Sequence, residues 1–169
     1  MTPLDPLTQA EEQAELSMSV LMTPDMANFS GNVHGGTILK LLDQVAFACA
    51  SRYSASYVVT LSVDKVLFKE PIHVGELVTF LACVNHVGTS SMEIGIRVEA
   101  QNIQKRSIRH TNSCYFTMVA VDENNKPKRI PPLILDSDLK RCRFEAAEQR
   151  KKLRLQQQNT HISCSIFKE

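Results

Sequence analysis

The stretch from residue 28 to residue 54 constrains this chain most. It opens as a loop carrying Gly31, Gly35 and Gly36 and closes as a helix. From Gly36 onward, Ile38, Leu39, Leu41, Leu42, Val45, Ala46, Phe47, Ala48 and Cys49 leave almost no polar face. A helix apolar nearly all round is a buried helix, so the rest of the chain must wrap it. One carboxylate, Asp43, lies in its middle. A charge there is costly unless it has partners or a task. The alternative is a narrow exposed stripe at Asp43 and Gln44. The glycines let the backbone turn tightly and approach a ligand. The first amides of the helix emerge as free donors, a natural seat for a negative oxygen.

The wrapping has to come from strands. Ahead of the loop, residues 17–23 alternate through Met18, Val20 and Met22. A short helix is expected before them, at 8–15. Four strand-like runs follow the central helix. Residues 57–68 set Val59, Leu61 and Val63 on one face; 76–87 do the same with Val78, Phe80, Ala82 and Val84. Residues 92–100 point Met92, Ile94, Ile96, Val98 and Ala100 one way and Glu93, Arg97 and Glu99 the other. Residues 111–121 align Cys114, Phe116, Met118 and Ala120. Short turns between such runs give antiparallel pairing, and a one-faced antiparallel sheet needs a cover. The central helix is the cover, so the fold class is α+β.

Beyond Pro131 and Pro132, Asp136 or Ser137 can cap a second helix running to about residue 157. Residues 140–154 hold seven basic and two acidic side chains. They read either as a solvated face packed through Leu139, Phe144, Ala147 and Leu153, or as a surface for nucleotide phosphates. The net charge of +1 gives no general attraction to nucleic acid or to membrane. The longest unbroken apolar run, 45–50, is too short to span a bilayer, and the first residues lack the pattern of a signal peptide. Five cysteines at scattered positions suit reduced thiols and a cytoplasmic location. Neither Cys-x-x-Cys nor His-x-x-x-His occurs, so no metal site is expected.

Asn28, Gly31, Asn32, His34, Gly35 and Gly36, followed by Leu42 and Asp43, resemble the active-site signature of hot-dog-fold acyl-CoA thioesterases. The cytosolic acyl-CoA hydrolases are the most similar branch. The resemblance covers residues 16–154 and implies a single domain there, followed by a tail at 155–169. In this fold a curved antiparallel sheet wraps one long helix. The implied reaction is hydrolysis of an acyl-CoA to a carboxylic acid and CoA. Asp43 is then general base or nucleophile, and Asn28 of the partner subunit orients water or carbonyl. The Gly36 N–H is the oxyanion donor, and His34 organises the loop. Gly35, Ser90 and Ser91 would lie along the substrate. Arg97 and Arg106, with Lys105 and Arg109 near them, are the cations available for CoA phosphates. CoA is part of substrate and product, so no separate cofactor is implied. Nor is a nucleic-acid or membrane partner.

The same resemblance implies a homodimer with shared sites, assembled into a homohexamer as a trimer of dimers. Two other readings remain open. One is a hot-dog protein that binds acyl-CoA without cleaving it. The other is a hot-dog hydratase or dehydratase, although the His-x-x-Gly-x-Pro loop of that type is absent.

Overall fold

The computed structural model describes residues 6–159. It divides into two compact units, Met1–Ile134 and Leu135–Glu169. The part of the expected tail from 160 onward lies outside the described residues.

In the first unit, α1 (Pro6–Glu12) precedes β1 (Glu15–Leu21). A single 3-10 turn, Pro24–Met26, leads into the glycine loop and then α2 (Gly35–Ser54). The remaining strands are β2 (Tyr57–Val63), β3 (Leu77–Val87), β4 (Ser91–Asn102) and β5 (Ser107–Val121). They form one sheet in the order β1-β3-β4-β5-β2, antiparallel throughout. The helix touches all five strands. This is the expected hot-dog arrangement, with bulges in the β3–β4, β4–β5 and β2–β5 pairings that bend the sheet around the helix.

The core is the contact between the two. Ile38, Leu42, Val45, Ala46, Cys49, Ala50 and Tyr53 come from α2; Phe80, Ile94, Ile96, Val98, Phe116 and Met118 come from the sheet. Each large apolar side chain buried this way contributes about 1.5–3 kcal/mol relative to exposure. Burial of the sulfurs pushes the Cys49 and Cys114 thiols up to about 12, with Cys83 and Asp64 respectively adding to the effect.

Four expectations need correction. The helix is not buried all round: Gly36, Leu39, Lys40, Asp43, Gln44 and Phe47 form an exposed stripe at helical spacing. The second strand ends at Val63 rather than at residue 68, where its pairing with β5 stops, and the Asp64 N–H reaches the Tyr115 carbonyl just beyond. Its apolar row does not face the core. Val58 and Thr60 pair with the inward Ala120 and Met118; Leu61 then bulges out, and Val63 pairs with Phe116. A strict period of two therefore fails, and Val59 and Leu61 are exposed. Glu93, expected on the face opposite the apolar row, is only 3% exposed, and its carboxylate accepts from Asn85 Nδ2 at 3.2 Å.

The second unit is α3 (Asp138–Asn159) and its lead-in. Ser137 is its cap: its Oγ accepts from the Lys140 N–H at 3.3 Å and its carbonyl from the Arg141 N–H at 3.1 Å. Ion pairs Lys140–Asp136 and Arg141–Asp138 close the first turn. Leu139 and Leu153, expected to seat the helix, are exposed.

Candidate active site

The glycine loop is built on one side chain. Asn28 Oδ1 accepts from Ser30 N at 2.9 Å, Ser30 Oγ at 2.7 Å and Asn32 N at 3.2 Å. Its own N–H reaches the Asn32 carbonyl at 2.7 Å. Gly31 supplies the left-handed residue, φ 80°, that the turn demands. The acceptor half of the Asn28 amide is thus consumed in folding the turn. Its donor half, Nδ2, has no partner among the described residues and is free for a ligand.

His34 is the N-cap of α2. Its Nδ1 accepts from the Gly36 N–H at 3.0 Å, which requires Nδ1 to carry no proton. A Cβ on Gly36 would lie 3.1 Å from that nitrogen, so glycine keeps the cap close. The donor expected for an oxyanion is therefore occupied by His34 in the chain as it stands. Gly35 meets only the Phe68 ring, across which a Cβ would sit at ordinary contact distance.

Asp43 stands on the exposed stripe, and its Oδ1 accepts from Thr60 Oγ1 at 2.8 Å. Thr60 was not among the residues singled out from sequence. The available signal was weak: a hydroxyl among the valines and leucines of β2, on the row that turns out to face the helix. Lys40, Gln44 and Phe47 share the stripe of Asp43, and the Phe47 ring meets Tyr57 edge to face at 5.7 Å. Val59 and Leu61 of β2 are also exposed.

No hydrogen bond joins Asp43 to the Asn28 turn among the described residues. Asp43 follows His34 by nine residues, about 13 Å along the axis, and the Asn28 turn lies beyond the cap. The register says the same. Thr60 pairs with Met118, far along β5 from Arg109, the residue that anchors the neighbourhood of the Asn28 turn.

The expected CoA contacts are also divided. Ser90 and Ser91 belong to the β3–β4 turn, where their carbonyls accept from Ala120 N and Gly88 N. Arg106 occupies the β4–β5 turn with φ 53°. Twelve residues of β4 separate these turns, on the order of 35 Å. Arg97 pairs in register with Leu81 and Ser113 and is held by Glu99 at 2.7 Å. A hollow of about 600 Å³ beside the end of β5 is lined by Ser56, Tyr57 and residues 121–125, and none of the expected site residues borders it. Among the described residues no group of three or more His, Cys, Asp or Glu could hold a metal ion.

The thioesterase superfamily family model matches residues 30–106. Protein VdlD of Helicobacter pylori is 51% identical over 143 residues, spanning 85% of this chain and 82% of that protein. A hexameric acyl-CoA thioesterase solved in its apo form is 32% identical with a TM-score of 0.85, over 89% of this chain and 97% of that one. The chain belongs to the thioesterase superfamily. Within it, solved relatives are named acyl-CoA thioester hydrolases, and this chain is an enzyme of that kind. The acyl-CoA hydrolase of Staphylococcus aureus, solved with butyryl-CoA, CoA and CoA disulfide, is 27% identical with a TM-score of 0.78, over 89% of this thioesterase and 94% of that chain. Structures of its alanine mutants at an aspartate, an asparagine and a threonine match at TM-scores of 0.74 to 0.79.

Proposed function

We propose that the chain hydrolyses acyl-CoA thioesters with Asp43 as the group that activates water or attacks the carbonyl directly. The observation that carries this is the Asp43–Thr60 pair on the one exposed stripe of an otherwise buried helix. A hydrogen bond from Thr60 holds one carboxylate oxygen and leaves the other for a water. The three residue types replaced in the Staphylococcus aureus hydrolase are those of Asn28, Asp43 and Thr60 here. A carboxylate with an ordered donor is what deprotonation of water needs; mere binding of acyl-CoA needs neither.

The complete site is shared between two protomers. Asn28 and the N-terminus of α2 come from one, Asp43 and Thr60 from the other. Two features support this: the distance along α2, and the exposed apolar side chains Tyr57, Val59 and Leu61 on the open edge strand β2. Two such edges brought together would cover each other. The likeness to a hexameric thioesterase favours three dimers in a ring. At the oxyanion, the thioester oxygen takes the Gly36 N–H from His34, whose ring then turns aside. The Asn28 Nδ2 lies on the same loop, ready to orient water or carbonyl.

For CoA, Ser90 and Ser91 form one set of contacts and Arg106 the other. Since one chain holds them so far apart, they serve a single CoA only from different protomers. Arg97 is the weakest of the group, being paired with Glu99. Among the described residues no helix is long and apolar enough to cross a membrane. The buried thiols suit a reducing compartment, which is the basis for a cytoplasmic assignment.

The test is release of free thiol from acetyl-, butyryl- and palmitoyl-CoA by the wild type and by Asp43→Ala. Turnover lost in the mutant is the expected result. Tight binding of all three without thiol release by the wild type would replace hydrolysis with simple binding.

A further inference from the structure

Glu76, the residue before β3, carries a carboxylate only 5% exposed, and nothing in the chemistry above uses it. Its Oε2 accepts from Arg109 Nη2 at 2.6 Å and from the His73 N–H at 2.8 Å. Arg109 gives the same Nη2 to the Pro71 carbonyl at 2.9 Å. Two sides of the 70–76 turn are therefore gripped by one guanidinium on β5. His73 carries the link onward: its ring Nδ1 lies 2.9 Å from Asn32 Oδ1, and the two residues form a β-bridge. Asn32 in turn donates its N–H to Asn28 Oδ1 and receives the Asn28 N–H on its carbonyl. An unbroken line of hydrogen bonds thus runs from Arg109 through Glu76, His73 and Asn32 to Asn28.

The energetics of the pair point away from stability alone. Burying a carboxylate against a guanidinium costs desolvation that the ion pair only offsets when all donors are satisfied. Arg109 Nη1 is buried and has no hydrogen-bond partner among the described residues. What the arrangement does secure is position. A buried carboxylate with two fixed donors resists the small displacements that a solvated turn undergoes, and the turn it fixes sits directly against the Asn28 loop.

We propose that Glu76, held by Arg109, is a positioning residue that sets the angle of the Asn28 amide through His73 and Asn32. The cation at 109 is then a strut and not a ligand of the CoA phosphates. The inference rests on the reading of Asn28 as part of the site. Asn28 acts on the reacting carbonyl or water, so loosening the strut lowers kcat and leaves KM nearly unchanged.

The experiment is a double-mutant cycle on full-length protein, read as thiol release from butyryl- and palmitoyl-CoA. Glu76→Gln keeps the shape and removes the charge. Asn32→Ala cuts the line at an accessible residue and guards against a folding defect in the first variant. Each should lower kcat about ten- to a hundredfold, as small misplacements of a site group do. Neither should lower it much further when Asn28 is already Ala. Equal losses with and without Asn28 would mean that Glu76 acts through general stability, and the proposal falls. Wild-type kcat in both Glu76→Gln and Asn32→Ala would also overturn it, while Asn28→Ala still impaired would leave the shared site standing. Wild-type kcat in Asn28→Ala itself would remove both the strut and the role of Asn28.

Discussion

The two ends of α2 are finished to different degrees. At its N-terminus every piece is in place within one chain. Asn28 accepts three hydrogen bonds, His34 caps the helix and Asn32 is clamped by His73. Two turns further on, Asp43 has one bond, to Thr60, on an exposed stripe that also carries Leu39, Lys40, Gln44 and Phe47, while the edge strand β2 exposes Tyr57, Val59 and Leu61. Exposed apolar side chains along an open sheet edge suit coverage by a second copy of the chain. The first region needs nothing from a partner to fold; the second needs one to be covered. In the proposed function, the parts of the site are made separately and assembled by association.

The largest effect should come from the unfinished half. Asp43→Asn keeps an acceptor for Thr60 and removes the base. We expect kcat for acyl-CoA hydrolysis to fall about 10²- to 10⁴-fold, with melting temperature and sedimentation unchanged. A loss of assembly along with activity would mean that Asp43 is an interface residue first. Leu61→Asp probes the cover itself. Leu61 is 68% exposed in the single chain and sits on the β2 bulge. A charge pressed into an apolar contact should raise the dimer dissociation constant about a hundredfold, read by analytical ultracentrifugation, with activity falling on dilution. An unchanged sedimentation profile would place the interface elsewhere.

Thr60→Val is gentler. It removes one bond to a charged oxygen, for which about a tenfold loss in kcat is expected. Pre-steady-state thiol release would show whether the loss lies in chemistry. The smallest effect belongs to the core shared by both regions. Cys49 and Cys114 keep their protons to about pH 12 in the folded chain, whereas the unfolded chain loses them near 9. Their contribution to stability is therefore full below pH 9 and is lost as pH rises toward 12. At pH 8 a thiol reagent should label Cys142, which is exposed, and spare Cys49 and Cys114 without loss of activity. Rapid labelling of Cys114 would show a core looser than its burial implies.

Much of this was visible in the residues. Alternation in β3 and β5 located their core faces, because both are central or long enough for period two to hold. The glycine loop and the helix followed from Gly31, Gly35, Gly36 and the run after them. Three things were hidden, each for a physical reason. The inward row of β2 runs through Val58 and Thr60 while Val59 and Leu61 are the exposed ones, and β-branched residues on both faces hide which row is inward, so Thr60 is not marked by the pattern. The exposed stripe of α2 is apolar at Leu39 and Phe47, and sequence cannot tell a face buried within a chain from one left uncovered. The line from Arg109 to Asn28 joins residues far apart in sequence, and it is made by a turn at 70–76 whose geometry no local pattern reveals. The roles of Asn28, Asp43 and Gly36 came from resemblance; the residues alone allowed a plain turn and an exposed helix position.

The most direct test of the shared site is complementation. Chains carrying Asn28→Ala and chains carrying Asp43→Ala, each strongly impaired alone, are unfolded together, refolded and assayed for thiol release. Random pairing makes half the dimers mixed, and each mixed dimer holds one site with both residues intact. The account predicts recovery to about a quarter of wild-type activity. Mixed dimers demonstrated by mass and yet without activity would place both residues in a site made by one chain.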